Sequence, residues 1–410
     1  MAVGAANRGS DMLALGSFVV LGLPDGMLGT AWPSMRGTFG APVSALGLIL
    51  LLTTAGSVLI TAFVGPLIRR LGVPTLLAMA GLLAALGYTG YALAPGLWLV
   101  LSVSVLLGAS AGMMDGGLNT AVALTGRQRL LNLLHGAYGI GTAIGPLVVT
   151  AAILTGSWRP AYLTLVCLDL AMAVLWLRQR QRDRRRDRAA AGTAAPVPAT
   201  VADSHPAARW SRRRYSGVVI AGMSVFFVYT GLEVGAGQWE ASFCRGQLHM
   251  SPGATGLASF GYWGALTAVR IGLAMLPRPV RPQAVVRWGS GIAVLAAAAI
   301  WWGPSTAVAV TGFVVLGGAL AGVFPALISL TPVRLGEQRA HNVISWQVGA
   351  AAAGGAGLSA VIGLLIGAVG LAALGPAITI LALVVVATEV ILNRLAPVRP
   401  PSPSARRPLP

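Results

Sequence analysis

The chain has 410 residues, of which 56% are hydrophobic and 10% charged, with a mean hydropathy of +0.77. Soluble domains are about 25% charged, so water cannot be its main solvent and a soluble enzyme with a large core is excluded. Its formal charge of +18 comes from 29 arginines without a single lysine, yet they sit in termini and loops rather than on the soluble basic face that phosphate contacts require, so nucleic acid is not expected as a partner.

A bilayer-crossing helix needs roughly 20 mostly apolar residues. The N-terminal MAVGAANRGSDM is followed by an apolar run too long for a cleavable signal, and it is expected to remain in the mature protein as the approach to a first span. Gly, Pro and Arg punctuation predicts spans at 12–36, 43–68, 74–94, 97–124, 130–156 and 159–177. Residues 178–214 then form the one long polar stretch, beginning RQRQRDRRRDR and ending SRRRY, a composition that cannot bury enough apolar surface to fold. Six further spans are predicted at 216–243, 252–276, 284–302, 306–331, 340–368 and 370–392.

The expected organisation is an all-α membrane protein: an N-terminal six-helix bundle over 1–177, a basic linker over 178–214, a C-terminal bundle over 215–393 and a disordered tail over 394–410. Twenty-five of the arginines lie at the N-terminus, in alternate loops or in the tail, against Arg36, Arg159 and Arg245 in the other loops and Arg270 within a span. By the positive-inside rule both termini and the linker are cytoplasmic, and the linker arginines can meet anionic headgroups. Cys167 and Cys244 provide no disulfide framework and read as packing residues.

The two halves repeat. FVVLGLPDG (18–26) aligns with FVYTGLEVG (227–235) at a shift of 209. A shift of 210 places Gly108, Ala109, Ala111 and Gly112 on Gly318, Ala319, Ala321 and Gly322, and Arg129, Asn132, Gly139 and Gly145 on Arg339, Asn342, Gly349 and Gly355. Parallel repeats of this kind hold solute near the midplane between them. The stripe Gly108, Gly112, Gly116 and the pair Gly141, Gly145 let helix backbones approach closely. Gly22, Pro24 and Gly26 are expected to interrupt span one around Asp25.

A carboxylate at bilayer depth costs roughly 2.5–3.5 kcal/mol on insertion scales, so each needs a cavity, a partner or a proton. Asp25 lies mid-way along span one, Asp115 in span four with Asn119 one turn on, and Glu233 in span seven with Tyr229 one turn earlier. A carboxyl lining a partly desolvated cavity can take a proton from one side and release it to the other, which makes these three the proton-coupling set. Arg270 in span eight needs a counter-charge, and Glu233 is the expected one. Glu240 and Glu389, near span ends, are expected to snorkel, and Asp169 to be a structural buried residue. His135 changes charge near neutral pH. With Asn119, Asn132, Tyr138, Trp239, Arg270, Gln347 and Trp346 it makes a polar and aromatic set able to hold a sugar. Trp32, Trp98, Trp158, Trp301 and Trp302 fit interfacial belts. No Walker loop, GxSxG, HExxH or metal-ligand cluster occurs. No enzyme activity, metal or cofactor is therefore expected, and the energy must come from gradients.

RLLNLLHGAYGIGTAIGPL (129–147), GMMDGGLNT (112–120), FVYTGLEVGAGQW (227–239) and AGVFPALISL (321–330) resemble the fucose:proton symporter family of the major facilitator superfamily. The resemblance implies twelve helices in two bundles and alternating access. It implies that Asp25 and Asp115 match the family's two membrane acids, for substrate binding and proton coupling. His135 falls where the fucose transporter has an amide, and GPLIRRLGVP (65–74) carries Arg69 where the superfamily's loop has an acid. The implied function is proton symport of a sugar or similar small polar solute by a monomer in the plasma membrane. Proton-driven export of a drug or secondary metabolite, and a transport-dead receptor or scaffold, are the alternatives.

Overall fold

The computed structural model describes residues 8–123, 127–190, 212–278, 280–303 and 305–397. In lipid every backbone N–H and C=O must find a partner within its own segment, and the described residues are accordingly helical almost throughout. The first half is built from α1 (Arg8–Phe39), α2 (Ala45–Leu71), α3 (Val73–Leu93), α4 (Leu97–Ala123), α5 (Gln128–Leu154) and α6 (Arg159–Ala190). The second comprises α7 (Arg212–Gly246), α8 (Pro252–Met275), α9 (Pro282–Trp302), α10 (Thr306–Leu320), α11 (Val323–Leu335), α12 (Glu337–Val369) and α13 (Leu374–Leu395). Eleven spans among the described residues are long and apolar enough to cross a membrane, counting α10 and α11 as one; α8 is the remaining helix, made less apolar by its Gly, Ser, Thr and Arg content. Gly72, Gly336 and Gly370 end helices at positive φ, a conformation open to glycine without Cβ strain.

The boundaries depart from expectation in three places. α6 continues beyond residue 177 to Ala190, and α7 starts at Arg212, so the helices reach into the stretch read as an unfolded linker. Arg and Gln are good helix formers, and Gln179 donates to Asp183 one turn on at 2.8 Å. Span ten is broken at Ala321–Gly322 into α10 and α11. Conversely, α1 runs unbroken through Pro24. The centre of the linker (191–211) and the tail from 398 lie outside the described residues.

Small residues bring the helices together. Gly108 of α4 lies against the backbone of Thr53 in α2, and Gly141 and Gly145 of α5 against the backbone of α1 at Val19 and Leu23. The bundles meet along three seams. At the first, Thr267 of α8 donates to the Gly139 carbonyl of α5 at 2.8 Å. At the second, Gln238 of α7 donates to the Asp25 carbonyl of α1 at 2.8 Å. At the third, Gly47 of α2 lies on Ala360 of α12. The tightest of these approaches, Gly256 on Thr150, Gly29 on Gln238 and Gly47 on Ala360, crowd the end of the bundles opposite the start of α1 and the end of α13. The protein is sealed on that far face.

Trp32 and Trp158, expected at an interface, are instead buried in the core beneath this seal: Trp32 donates to the Val43 carbonyl at 3.0 Å and Trp158 to the Thr38 hydroxyl at 3.0 Å. An indole N–H with a partner can be buried whole. Trp98, Trp301 and Trp302 are exposed on the outer surface. Cys244 is buried, whereas Cys167 is exposed rather than packed.

Candidate functional site

A cavity of about 300 Å³ opens within the first bundle, walled by α1 to α6. Asp25 and Asp115 both line it, with His135, Tyr138 and Asp169. α1 brings Asp25 there because Gly22 and Gly26, one turn apart on one face and flanking Asp25 in sequence, lie directly on the α5 backbone at Tyr138 and Thr142. That closeness lets the Tyr138 hydroxyl donate to the Asp25 carboxylate. On α4, the Asn119 amide donates to Asp115 at 2.8 Å, as the one-turn spacing predicts. His135 stands edge-on to Phe18 with ring centroids 6.0 Å apart. Deeper in the cavity Tyr88, Tyr91 and Tyr162 cluster with centroids 5.2–6.3 Å apart, and Asp169 closes the wall beside them.

The second bundle carries a different arrangement. Glu233 of α7 pairs with Arg270 of α8 at 3.6 Å and accepts from Tyr229. Both partners reach the break in span ten, where Arg270 Nε donates to the Ala321 carbonyl at 3.0 Å and Tyr229 donates to Leu320 at 2.8 Å. The cause of the break is Pro325. Its nitrogen has no hydrogen to give Ala321, four residues back, and its ring would clash with that carbonyl. The carbonyl is thereby freed for the guanidinium.

The expected sugar-binding set is not gathered in one place. His135 and Tyr138 line the cavity, and Arg270 and Glu233 face them from the other bundle, within electrostatic reach of His135 and Tyr138 respectively. Asn119 is held by Asp115. Trp239 is wholly buried with its indole donating to the Ser359 carbonyl at 2.9 Å, and Gln347 is buried against Thr331 at 3.0 Å; both are absorbed in packing. Trp346 is half exposed on the outer part of α12. The Asn132 side chain lies outside the described residues.

Of the acids expected to be structural or snorkelling, Asp169 is buried as expected, and the two glutamates sit differently. Asp169 lines the cavity. Glu240 is fully buried on α7 facing Ser259 of α8, and Glu389 is buried on α13 and accepts from Ser290 at 3.1 Å. Neither glutamate snorkels, because each points inward to a serine on the neighbouring helix. The signal for Asp169 is its register: α6 presents Tyr162, Asp169 and Met172 at helical spacing on the inner face. No group of three or more potential metal ligands forms among the described residues.

With two parallel bundles, a far-face seal and a largely apolar cavity that gathers three aspartates, the molecule has the build of a solute carrier. The Major Facilitator Superfamily model matches residues 14–357, and the chain belongs to that family. Its fold is similar to the crystal structure of a mutant of the nucleoside transporter NupG, with TM-score 0.69 and 15% identity over 95% of this chain and 100% of that one. It is also similar to a Major Facilitator Superfamily transporter, FucP, in the outward conformation, with TM-score 0.61 and 17% identity over 94% of this chain and 98% of that one. No curated protein matches the sequence.

Proposed function

We propose that this chain is a proton-coupled secondary transporter of a small polar solute, in which Asp25 and Asp115 carry the coupled proton. One observation carries the reading: both acids, from different helices, reach a single cavity on the near side of the far-face seal. An unbalanced carboxyl at this depth is stable when protonated and responsive when water reaches it, and Tyr138 and Asn119 hold the two groups in place. The seal opposite an accessible cavity is one half of an alternating-access cycle. The arginine distribution supports a cytoplasmic orientation of the cavity side and of both termini, and the cavity within one chain supports a monomer.

The similarity to a structure titled as a nucleoside transporter, together with the sequence resemblance to fucose:proton symporters, supports import of a sugar or nucleoside-like solute with a proton. The carboxyl-rich cavity supports equally a proton exchange that exports its solute. Adding solute to proteoliposomes separates the two: alkalinisation of the solute-side medium marks symport, acidification marks exchange. In either mode Asp115→Asn abolishes uphill accumulation while counterflow exchange persists. Unchanged accumulation would remove Asp115 from the coupling.

A further inference from the structure

We propose that the solute accepted by this cavity carries a protonated amine, and that it exchanges with protons on the cavity carboxyls. The proposal rests on the transport reading only in taking this cavity as the solute chamber. Its basis is the balance of donors and acceptors on the wall.

Asp25, Asp115 and Asp169 all line the cavity, and among the described residues no arginine does. The cation that faces it from the second bundle, Arg270, is already held by Glu233 at 3.6 Å and by the Ala321 carbonyl at 3.0 Å. The wall's hydroxyl protons are largely committed as well. Tyr138 donates to Asp25, Ser17 to the Leu13 carbonyl, Thr53 to Ile49, Ser110 to Ala80, and Tyr162 to the Met35 sulfur. What the wall offers an incoming molecule is therefore mainly acceptors and aromatic faces, with Ser57, Tyr88 and His135 as its remaining donors. The least satisfied acceptor is Asp169. Only 5% of this residue is exposed, and its Oδ2 has no hydrogen-bond partner.

A sugar hydroxyl seeks a donor as often as an acceptor, and this wall gives it few donors. An alkylammonium group brings three donors, accepts nothing and carries the missing charge. The Tyr88, Tyr91 and Tyr162 rings beside Asp169 add faces on which a cation is favoured. A cation and a proton on one carboxylate exclude each other, so occupancy by the amine expels protons and the cycle runs as exchange. The far-face groove between the bundles, lined by Arg36 and Arg245, opposes rebinding of a released cation.

The test uses the purified full-length protein and solute pairs differing only in the amine: glucosamine against glucose, and phenethylamine against phenethyl alcohol. Thermal unfolding is followed at pH 7.5 and 5.5; the ionisable groups on the wall are Asp25, Asp115, Asp169 and His135, faced by the Glu233–Arg270 pair of the second bundle. At least one amine raises Tm at pH 7.5 by about 2 °C or more at saturation while its neutral twin does not. The amine's half-effect concentration rises about tenfold at the lower pH, and about tenfold in Asp169→Asn at pH 7.5. If the neutral member stabilises as well as the amine, if neither amine binds, or if binding ignores pH, the proposal is overturned. The pH arm on the unaltered protein keeps the test decisive should the variant fold poorly. Because binding is read without transport, a protein that binds amines yet moves nothing in liposomes would instead overturn the transport reading.

Discussion

The two bundles are repeats in backbone and opposites in charge. At the shifts of 209 and 210 that superpose their motifs, Asp25, Asp115 and Asp169 of the first half fall on Val234, Pro325 and Thr379 of the second. Conversely, Glu233 and Arg270 fall on Pro24 and Ile60. The first half thus leaves three carboxyls on one cavity, while the second ties Glu233 to a cation beside a broken helix and buries Glu240 and Glu389 between helices. The exchange at one position is instructive. Span four keeps its backbone intact and presents Asp115; span ten gives the same position to the proline that breaks it. One repeated bundle carries a chamber lined by carboxyls, and the other a facing wall built from an ion pair and the carbonyls freed at a helix break.

The largest effects should come from what the halves share. A Cβ at Gly141 would overlap the Val19 carbonyl between α5 and α1, and one at Gly354 would overlap the Phe227 carbonyl between α12 and α7. Backbone cannot step aside as a side-chain tip can. Gly141→Leu and Gly354→Leu should each cost more than about 4 kcal/mol, read as loss of the monodisperse peak after membrane extraction. Tolerance in one half alone would show that the two bundles are not equally tight, and would break the structural side of the comparison.

How much of this is legible in the sequence follows the same division. The span order, the repeat, the Asp25 and Asp115 placements and the Glu233–Arg270 pairing can be read because each rests on spacing along one helix or on the cost of charge in lipid. The break at Ala321–Gly322 has a signal too, since Pro325 forbids a hydrogen bond to Ala321, but an unbroken apolar run masks it. Asp169 escapes a reading by hydropathy because its role depends on how α6 is rotated against α1 and α3, which hydropathy does not encode. Trp239 and Gln347 belong to the same class: their polar atoms find partners at Ser359 and Thr331, contacts made between helices and invisible along one.

A middle-sized effect tests the paired half. Glu233→Gln leaves Arg270 without its counter-ion beside a single carbonyl. With side-chain exposures of 15% and 26% for Glu233 and Arg270, the loss should be about 1–3 kcal/mol, measured by thermal unfolding. Adding Arg270→Gln should recover part of it, because the stranded charge is removed with its partner. No recovery would mean that Arg270 serves the helix break more than the ion pair. Asp25→Asn should behave oppositely, leaving stability nearly unchanged while coupling is lost.

The smallest effect concerns matched helix starts. Ser251 opens α8 in extended backbone, and its hydroxyl accepts from the Ala254 amide at 3.2 Å. Its counterpart in the first half, Ser44 at the start of α2, stands in helical backbone without a side-chain cap and lies against Gly363 and Gly367 of α12 in the far-face seal. An N-cap hydroxyl satisfies an amide otherwise left open, so Ser251→Ala should cost about 0.5–1 kcal/mol. Ser44→Ala removes no such bond and should change stability by less than about 0.5 kcal/mol. Its effect should emerge instead in how readily the seal opens, read as faster labelling of a cysteine placed at the buried seal residue Thr150. If the two serines prove equal in thermal unfolding, the repeat has kept one role at both positions, and the far-face seal does not draw on Ser44.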